Sequence, residues 1–399
     1  MGHSHGEPAA PSRPAIRLIT GTTVALLLAT LTGVILLRPG GDREANLRGL
    51  IQIESEYDAV VERSDRAPCS GQQAIDPAEQ TSCRYFRVRL LSGLDEGRTR
   101  SIELPDSPST PDLQPDDKVV LAYEPTADPP LDYYLVDRQR KPVLFWLAVL
   151  FAVAVVLLGR LRGLAALGGL AITLVVLLAF VLPSILDGRS PVLVAIVGAA
   201  CITFVTLYLA HGFSHRTTTA LLGTLTSLGL TALLAQIFVG LAQLSGFASD
   251  EATILNLESG AIDIGGLVLA GVIIGALGAL DDVTVTQASA VWELRAANAD
   301  LTSPDLFRSG LRIGRDHIAS TVNTLLLAYA GASMPLLLFF VISEQSLASV
   351  ANQEIVATEI VRTLVGSIGL VASVPVTTAL AARVAATSKA TRPTTGANP

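Results

Sequence analysis

Long apolar segments dominate this chain of 399 residues, and polar residues are concentrated between them. A hydrocarbon core about 30 Å thick is crossed by about 20 apolar residues in a helix, so these segments predict transmembrane helices. Half of the residues are hydrophobic and only 16% are charged, which favours the same interpretation. We predict eight spans, at residues 16–37, 142–159, 161–183, 191–211, 217–245, 262–282, 318–342 and 357–381. The segment Gly331–Pro335 is a candidate for a kink within the seventh span.

The distribution of Arg and Lys predicts the orientation of these spans, because cytoplasmic loops retain basic residues. Basic residues follow spans two, four, six and eight: Arg160, Arg162, Arg216, Arg295, Arg308, Arg312, Arg315, Arg383, Lys389 and Arg392. The intervening loops at 245–260 and 343–354 contain neither Arg nor Lys. We therefore predict that both termini face the cytoplasm and that residues 38–141 lie on the opposite side. Arg and Lys near the ends of 38–141 oppose this assignment, but long loops follow the rule poorly.

The polar segment 38–141 is predicted to form a separate β-rich domain outside the cytoplasm. Strand-like runs occur at 85–91, 99–104, 118–123 and 133–137, separated by Gly- and Pro-rich turns. This pattern favours a small β-barrel or sandwich that acts as a structural or docking module. Cys69 and Cys83 both fall here. In an oxidising compartment they could form a disulfide, and the alternative is two unpaired thiols.

Several classes of function are disfavoured by the composition and by missing motifs. The sequence has no G-x-x-x-x-G-K-[ST] nucleotide loop, no G-x-S-x-G nucleophile motif and no H-E-x-x-H zinc motif. With three lysines and a net charge of −7, nucleic acid is not an expected partner. We therefore expect neither an enzyme nor a bound cofactor.

Polar and acidic residues are concentrated where the sixth predicted span ends and the seventh begins. On a helix, Asp282, Thr286, Ser289 and Glu293 share one stripe, and Asp281, Thr284 and Gln287 flank it. The seventh span has Asp316, Ser320 and Asn323 on one stripe and His317, Thr321 and Thr324 on the next. Both groups are expected at the cytoplasmic ends of their spans.

Two interpretations of these stripes remain open. If the stripes face each other, they form a substrate- or ion-binding site that could coordinate a cation or pass protons, built from Asp281, Asp282, Thr286, Gln287, Asp316, His317 and Asn323. Alternatively, the acids end a helix at the headgroup level and pair with Arg295, Arg312 or Arg315, while the hydroxyl groups join helices by hydrogen bonds.

A metal site has only weak support in the sequence. His211 and His215 are separated by four positions after the fourth span, a spacing that can share a metal on one helix. A zinc site normally needs three or four ligands, so only a tertiary encounter with another acid or histidine would complete it.

Two long stretches of the chain resemble a known family. They are Gly278-Ala-Leu-Asp-Asp-Val-Thr-Val-Thr-Gln-Ala-Ser-Ala-Val-Trp-Glu-Leu294 and Gly314-Arg-Asp-His-Ile-Ala-Ser-Thr-Val-Asn-Thr324, and both are similar to the bacterial YibE/F family. The Gly2-His-Ser-His-Gly6 start and an external domain before seven further spans resemble its longer members. The resemblance implies a multi-pass protein of the bacterial cytoplasmic membrane. It implies no established activity, so no catalytic or transport residue is carried over from it.

These observations predict an α-helical polytopic membrane protein with a β-rich domain between its first two helices. The predicted parts are a cytoplasmic tail (1–15), an anchor helix (16–37), the external domain (38–141), a seven-helix domain (142–383) and a second tail (384–399). The favoured function is a secondary permease for a cation or small molecule, with the lipid bilayer as its surroundings. The alternative is a non-transporting scaffold whose external domain docks an envelope protein.

Overall fold

The computed structural model describes residues 11–41, 55–69, 82–93, 95–125, 132–248, 252–255, 262–342 and 346–388. The chain divides into two units. One comprises Met1–Leu47 with Val155–Pro399 and is helical, and the other comprises Arg48–Ala154 and contains a β-sheet. Most of the two predicted cytoplasmic tails lies outside the described residues.

Apolar helices make up most of the described chain. They are α1 (Arg13–Leu36), α2 (Lys141–Val176), α3 (Leu182–Leu186), α4 (Pro191–His211), α5 (His215–Leu241), α6 (Ile264–Ala297), α7 (Ser303–Ala332), α8 (Met334–Ile342), α9 (Leu347–Ala351) and α10 (Glu354–Ala386), and a π-helical segment, Leu177–Val181, joins α2 to α3. Six helical elements in the described chain are long and apolar enough to cross a membrane, or seven if the bent pair α7–α8 is one span. The count differs from the predicted eight because Lys141–Leu186 forms one element of 46 residues.

Helix α2 is interrupted where the sequence predicts a loop between two spans. Arg160 has φ 52° and ψ −130°, which is not helical. A Cβ added to Gly163 would lie 2.3 Å from the backbone oxygen of Val155. Residues eight apart on a continuous helix are separated by about 12 Å. The chain therefore turns sharply at Arg160, between the predicted spans 142–159 and 161–183.

The bend between α7 and α8 coincides with the predicted kink. The two helices differ in direction by 66° at a short break around Ser333. Pro335 lies in the first turn of α8, where its missing N–H cannot continue the hydrogen bonding of α7. The kink in the seventh predicted span is thus accounted for by local sequence.

Helices α5 and α10 pack closely through small residues. A Cβ on Gly223 of α5 would lie 2.3 Å from Oγ1 of Thr377, and a Cβ on Gly369 of α10 would lie 2.0 Å from Oγ1 of Thr231. These two reciprocal contacts show that α5 and α10 run antiparallel. Glycines at such positions let neighbouring backbones approach within a membrane bundle.

The β unit is a single curled antiparallel sheet. Its strands are β1 (Ser55–Pro68), β2 (Ser82–Leu90), β3 (Thr99–Pro105), β4 (Lys118–Tyr123) and β5 (Tyr133–Arg138), hydrogen-bonded in the order β3-β2-β1-β4-β5. Four strands match the predicted runs, whereas the central strand β1 was not predicted. The two-sheet sandwich is wrong, because all described strands join one sheet. Its core includes Val61, Phe86 and Leu121, and a disulfide joins Cys69 to Cys83.

Candidate functional site

Asp281 lies at the middle of a long helix and not at its end. Helix α6 continues from Ile264 to Ala297 without a break, although the sequence predicts that the span ends near residue 282. The apolar segment before Asp281 and the mixed segment after it are equally helical. Because Asp281 Oδ1 is also buried, the carboxyl group lies inside the bundle, where it needs a specific environment.

The environment of Asp281 is provided by α5. Thr224 and Thr284 are both fully buried, and their hydroxyl oxygens lie 2.6 Å apart. The Thr284 hydroxyl also donates to the backbone oxygen of Asp281, at 3.1 Å. The carboxyl group of Asp281 lies beside the Thr224 hydroxyl. The side chain thus points towards α5.

A second hydroxyl lies at the depth of Asp281. Because the end of α5 approaches the start of α6 at Gly246 and Ile264, the two helices are antiparallel. Ser227, one turn beyond Thr224, therefore faces the turn of α6 that carries Asp281. Ser227 Oγ and Asp281 Oδ1 are both buried, and neither has a hydrogen-bond partner among the described residues.

Helix α10 adds another buried hydroxyl at a similar depth in the bundle. Thr377 is fully buried, and its Oγ1 has no hydrogen-bond partner in the part of the chain that the structure describes. It packs against Gly223, the residue before Thr224. Three helices therefore place buried polar atoms in one layer of the bundle. We call Thr224, Ser227, Asp281, Thr284 and Thr377 the Asp281 cluster.

Arginine residues do not neutralise this cluster. Asp281 and Asp282 form no ion pair within the described ranges. Arg295, one of the partners considered from the sequence, donates instead to the backbone oxygens of Leu301 and Ser388. The acids are therefore not explained by pairing with arginine.

The remaining residues of the predicted site do not converge on Asp281. Asp282 is exposed and Thr286 is half-buried. Gln287 is buried, and its Nε2 donates to the Gly310 oxygen at 2.6 Å and to Thr378 Oγ1 at 2.8 Å. It therefore joins α6 to α7 and α10.

The predicted stripe on α7 faces away from the bundle. Asp316, His317 and Asn323 are all exposed. The buried face of α7 consists of Leu306, Gly310 and Gly314. The expected encounter between the stripes of α6 and α7 is thus not observed, because α7 packs through its small residues.

Sequence reasoning missed the contribution of α5. Its buried hydroxyl residues include Thr217, Thr224, Ser227 and Thr231. Three of them recur every seventh position, which places them on one face of a helix. Hydroxyl residues at this spacing within an apolar span were the available signal, but they do not identify the helix that they face.

The histidine pair is arranged differently from the predicted one-helix pair. His211 ends α4, Gly212 follows with φ 72°, and His215 begins α5. The two imidazoles are therefore not on one helical face. Arg162 and Arg216 line the same cavity as His211. Their positive charges disfavour a metal cation beside this imidazole.

One other group of potential metal ligands occurs in the described ranges. It comprises Cys69, Cys83 and Glu103. Both sulfur atoms belong to the disulfide, so they provide no thiolate for a metal.

Comparison with known families gives one match. The family model described as "YibE/F-like protein" matches residues 147–387, which is more than half of the chain. No curated protein and no solved structure matches the chain.

Proposed function

Because the chain belongs to the YibE/F-like family and its apolar helices fit an integral membrane protein, we propose that it is a secondary permease of a bacterial cytoplasmic membrane that binds a proton or a small cation at Asp281. No catalytic chemistry, cofactor or nucleic-acid partner is part of this function. The lipid bilayer surrounds the helical unit.

The unpaired buried oxygen of Asp281 carries this proposal. A charged carboxylate within the hydrocarbon part of a membrane helix costs about 2.5–3.5 kcal/mol on insertion scales. An ionised carboxylate with a purely structural role would be expected to have an ion-pair partner that offsets this cost. Binding a proton neutralises the carboxylate, and binding a cation offsets its charge, so either event removes the cost.

The surrounding hydroxyl groups support a binding role. Thr224, Ser227 and Thr377 can each offer an oxygen lone pair to a cation, as hard cations prefer. They can also exchange hydrogen bonds as the carboxyl gains or loses a proton. The Asp281 cluster comprises residues of α5, α6 and α10, and the close packing of α5 on α10 through Gly223 and Gly369 makes it a constricted position. Movement of these helices would be needed to open it from either side.

The topology that accompanies this function has eight spans with both termini in the cytoplasm. The sharp turn at Arg160 supports two spans within Lys141–Leu186, since 46 residues of continuous helix would measure about 69 Å and a bilayer core is about 30 Å thick. The disulfide between Cys69 and Cys83 supports an extracytoplasmic, oxidising location for the β unit.

The function is tested by comparing two adjacent acids in proteoliposomes. Asp281→Asn removes the buried charge, whereas Asp282→Asn removes an exposed one from the next residue. Flux of protons and of a panel of monovalent and divalent cations is followed with entrapped indicator dyes, at equal amounts of inserted protein. We expect Asp281→Asn to lose at least about tenfold in rate and Asp282→Asn to stay within about twofold, as a barrier change of 1.4 kcal/mol predicts.

Equal flux from wild type and Asp281→Asn would contradict the assignment of the site. Absence of flux from wild type across the whole panel would contradict transport itself. The latter result would favour the alternative function, a scaffold whose β unit docks an envelope protein.

A further inference from the structure

A polar cavity lies where α4 ends and α5 begins. Its volume is about 220 Å³, and its lining includes Arg162, His211, Ser214, Arg216 and Thr217. Sites for drug-sized ligands measure about 300–1,000 Å³, so this cavity suits a smaller group. It is separate from the Asp281 cluster and shares no residue with it.

The loop between α4 and α5 holds the cavity in shape. Gly212 ends α4 with φ 72°, a conformation that glycine adopts without strain. Ser214 Oγ then accepts the backbone N–H of Thr217 at 3.1 Å and caps α5. The Thr217 hydroxyl donates to the His211 oxygen at 3.4 Å. These contacts tie the histidine to the first turn of α5.

Two guanidinium groups converge on this cavity beside the His211 imidazole, with little acid to balance their charges. Arg216 is fixed by Ser289 and lies 3.5 Å from Glu293, whose side chain is 76% exposed. Arg162 makes no ion pair with any residue that the structure describes. Like charges close together repel one another, and a bound anion removes that repulsion. The amino-terminal end of α5 adds a further positive potential.

We propose that this cavity binds a phosphate group, carried either by an anionic phospholipid or by free inorganic phosphate. The arginine fork matches phosphate oxygens in charge and geometry, and the Ser and Thr hydroxyls provide additional donors. Basic pockets between transmembrane helices are known to hold phospholipid headgroups. His211 is therefore a ligand for an anion, in contrast to the metal-binding role considered from the sequence.

The proposal is tested by binding measurements on the full-length protein in neutral detergent. The probes are phosphatidylglycerol against phosphatidylcholine in mixed micelles, and inorganic phosphate against chloride at equal ionic strength. The pocket variant is Arg162→Gln/Arg216→Gln. The control Arg312→Gln/Arg315→Gln removes the same charge from two exposed positions on α7. Dissociation constants are measured by thermophoresis.

We expect wild type to prefer phosphatidylglycerol or phosphate, the pocket variant to bind at least about tenfold more weakly, and the control to remain within about twofold, since 1.4 kcal/mol is tenfold in affinity. Saturation by inorganic phosphate alone identifies the free anion as a ligand. Binding of phosphatidylglycerol that phosphate does not compete identifies the lipid.

Equal weakening in both double variants would overturn the proposal, because net charge alone would explain it. No preference of wild type for either phosphate-bearing probe would overturn it as well. Arg162→Gln alone is measured in parallel, since the exposed Arg162 forms no ion pair in the described ranges and its loss is not expected to affect folding. Weaker binding of phosphatidylglycerol or phosphate by this variant supports the proposal, and unchanged binding of both overturns it.

Discussion

Replacing Gly369 by alanine is expected to destabilise the helical unit, although alanine is the better helix former. The added Cβ would lie 2.0 Å from Thr231 Oγ1 and 3.1 Å from Thr231 Cβ. Thr231 cannot easily move away, because it is fully buried and its hydroxyl donates to the Ser227 oxygen at 2.9 Å. The substitution must therefore separate α5 from α10 or displace Thr231.

The expected change in the free energy of unfolding is the sum of two opposing effects. Overpacking of a tight interface costs about 1–3 kcal/mol. Replacing glycine by alanine within a helix returns about 1 kcal/mol through helix propensity. Gly366, three residues earlier on α10, gives the matched control because the nearest atom to its added Cβ is Ala276 Cβ at 3.9 Å. The difference between Gly369→Ala and Gly366→Ala isolates the steric cost, which we expect to be about 1–3 kcal/mol.

The assay is reversible unfolding in mixed micelles, followed by circular dichroism. Equal free energies of unfolding for Gly369→Ala and Gly366→Ala would refute the close packing of α5 on α10. Thr231→Ala provides a second check, since it removes Oγ1 while leaving Cβ. In the double-mutant cycle we expect Thr231→Ala to recover at least about 0.5 kcal/mol of the loss caused by Gly369→Ala.

Three further predictions concern stability. Replacing Cys69 and Cys83 together by Ser should cost the β unit about 3 kcal/mol, as closure of a loop of about 15 residues predicts; reductant should lower the unfolding temperature of wild type and not that of the double variant, and an unchanged wild type would contradict this. Burial, assisted by a nearby carboxylate, raises the pKa of Tyr133 to about 12. Because Tyr133 ionises at a lower pH in the unfolded chain, its neutral side chain stabilises the fold below pH 10, and this stabilisation is lost as the pH rises to about 12. The free energy of unfolding of Tyr133→Phe should therefore decrease less over that range than that of wild type. Identical pH dependence of the two proteins would contradict this prediction. Gln287→Leu should destabilise the helical unit by about 1–3 kcal/mol, because a carbonyl on α7 and a hydroxyl on α10 lose their amide donor; unfolding measured against Thr286→Val, at the half-buried neighbour, tests this, and equal stability of the two variants would refute it.

Local sequence was sufficient to locate the apolar helices of this protein. The apolar blocks predict the membrane helices because transfer into hydrocarbon depends mainly on the residues of each segment. The same holds for the kink at Ser333 and for the turn at Arg160, which follow from Pro335 and from a basic interruption of an apolar run. The segments 278–294 and 314–324 carried the family resemblance, and the family match confirms it.

The central strand β1 shows where local pattern failed. Only Tyr57, Ala59 and Val61 alternate as inward-facing residues, and charged residues follow them along the strand. The strand is nevertheless central, because β2 and β4 pair with it on either side. Its position depends on backbone hydrogen bonds to its neighbours, which a short apolar pattern does not reveal.

By itself the sequence determined which residues share a helical face, and it placed Asp281 and Asp282 at the end of an apolar span. Only the tertiary structure decided that the carboxyl group of Asp281 lies beside Thr224 of α5, while Asp316 of α7 lies exposed. The helical period of 3.6 residues sets the stripes along one helix. Which stripes meet depends on the close contacts that small residues such as Gly223 and Gly369 allow between helices distant in sequence.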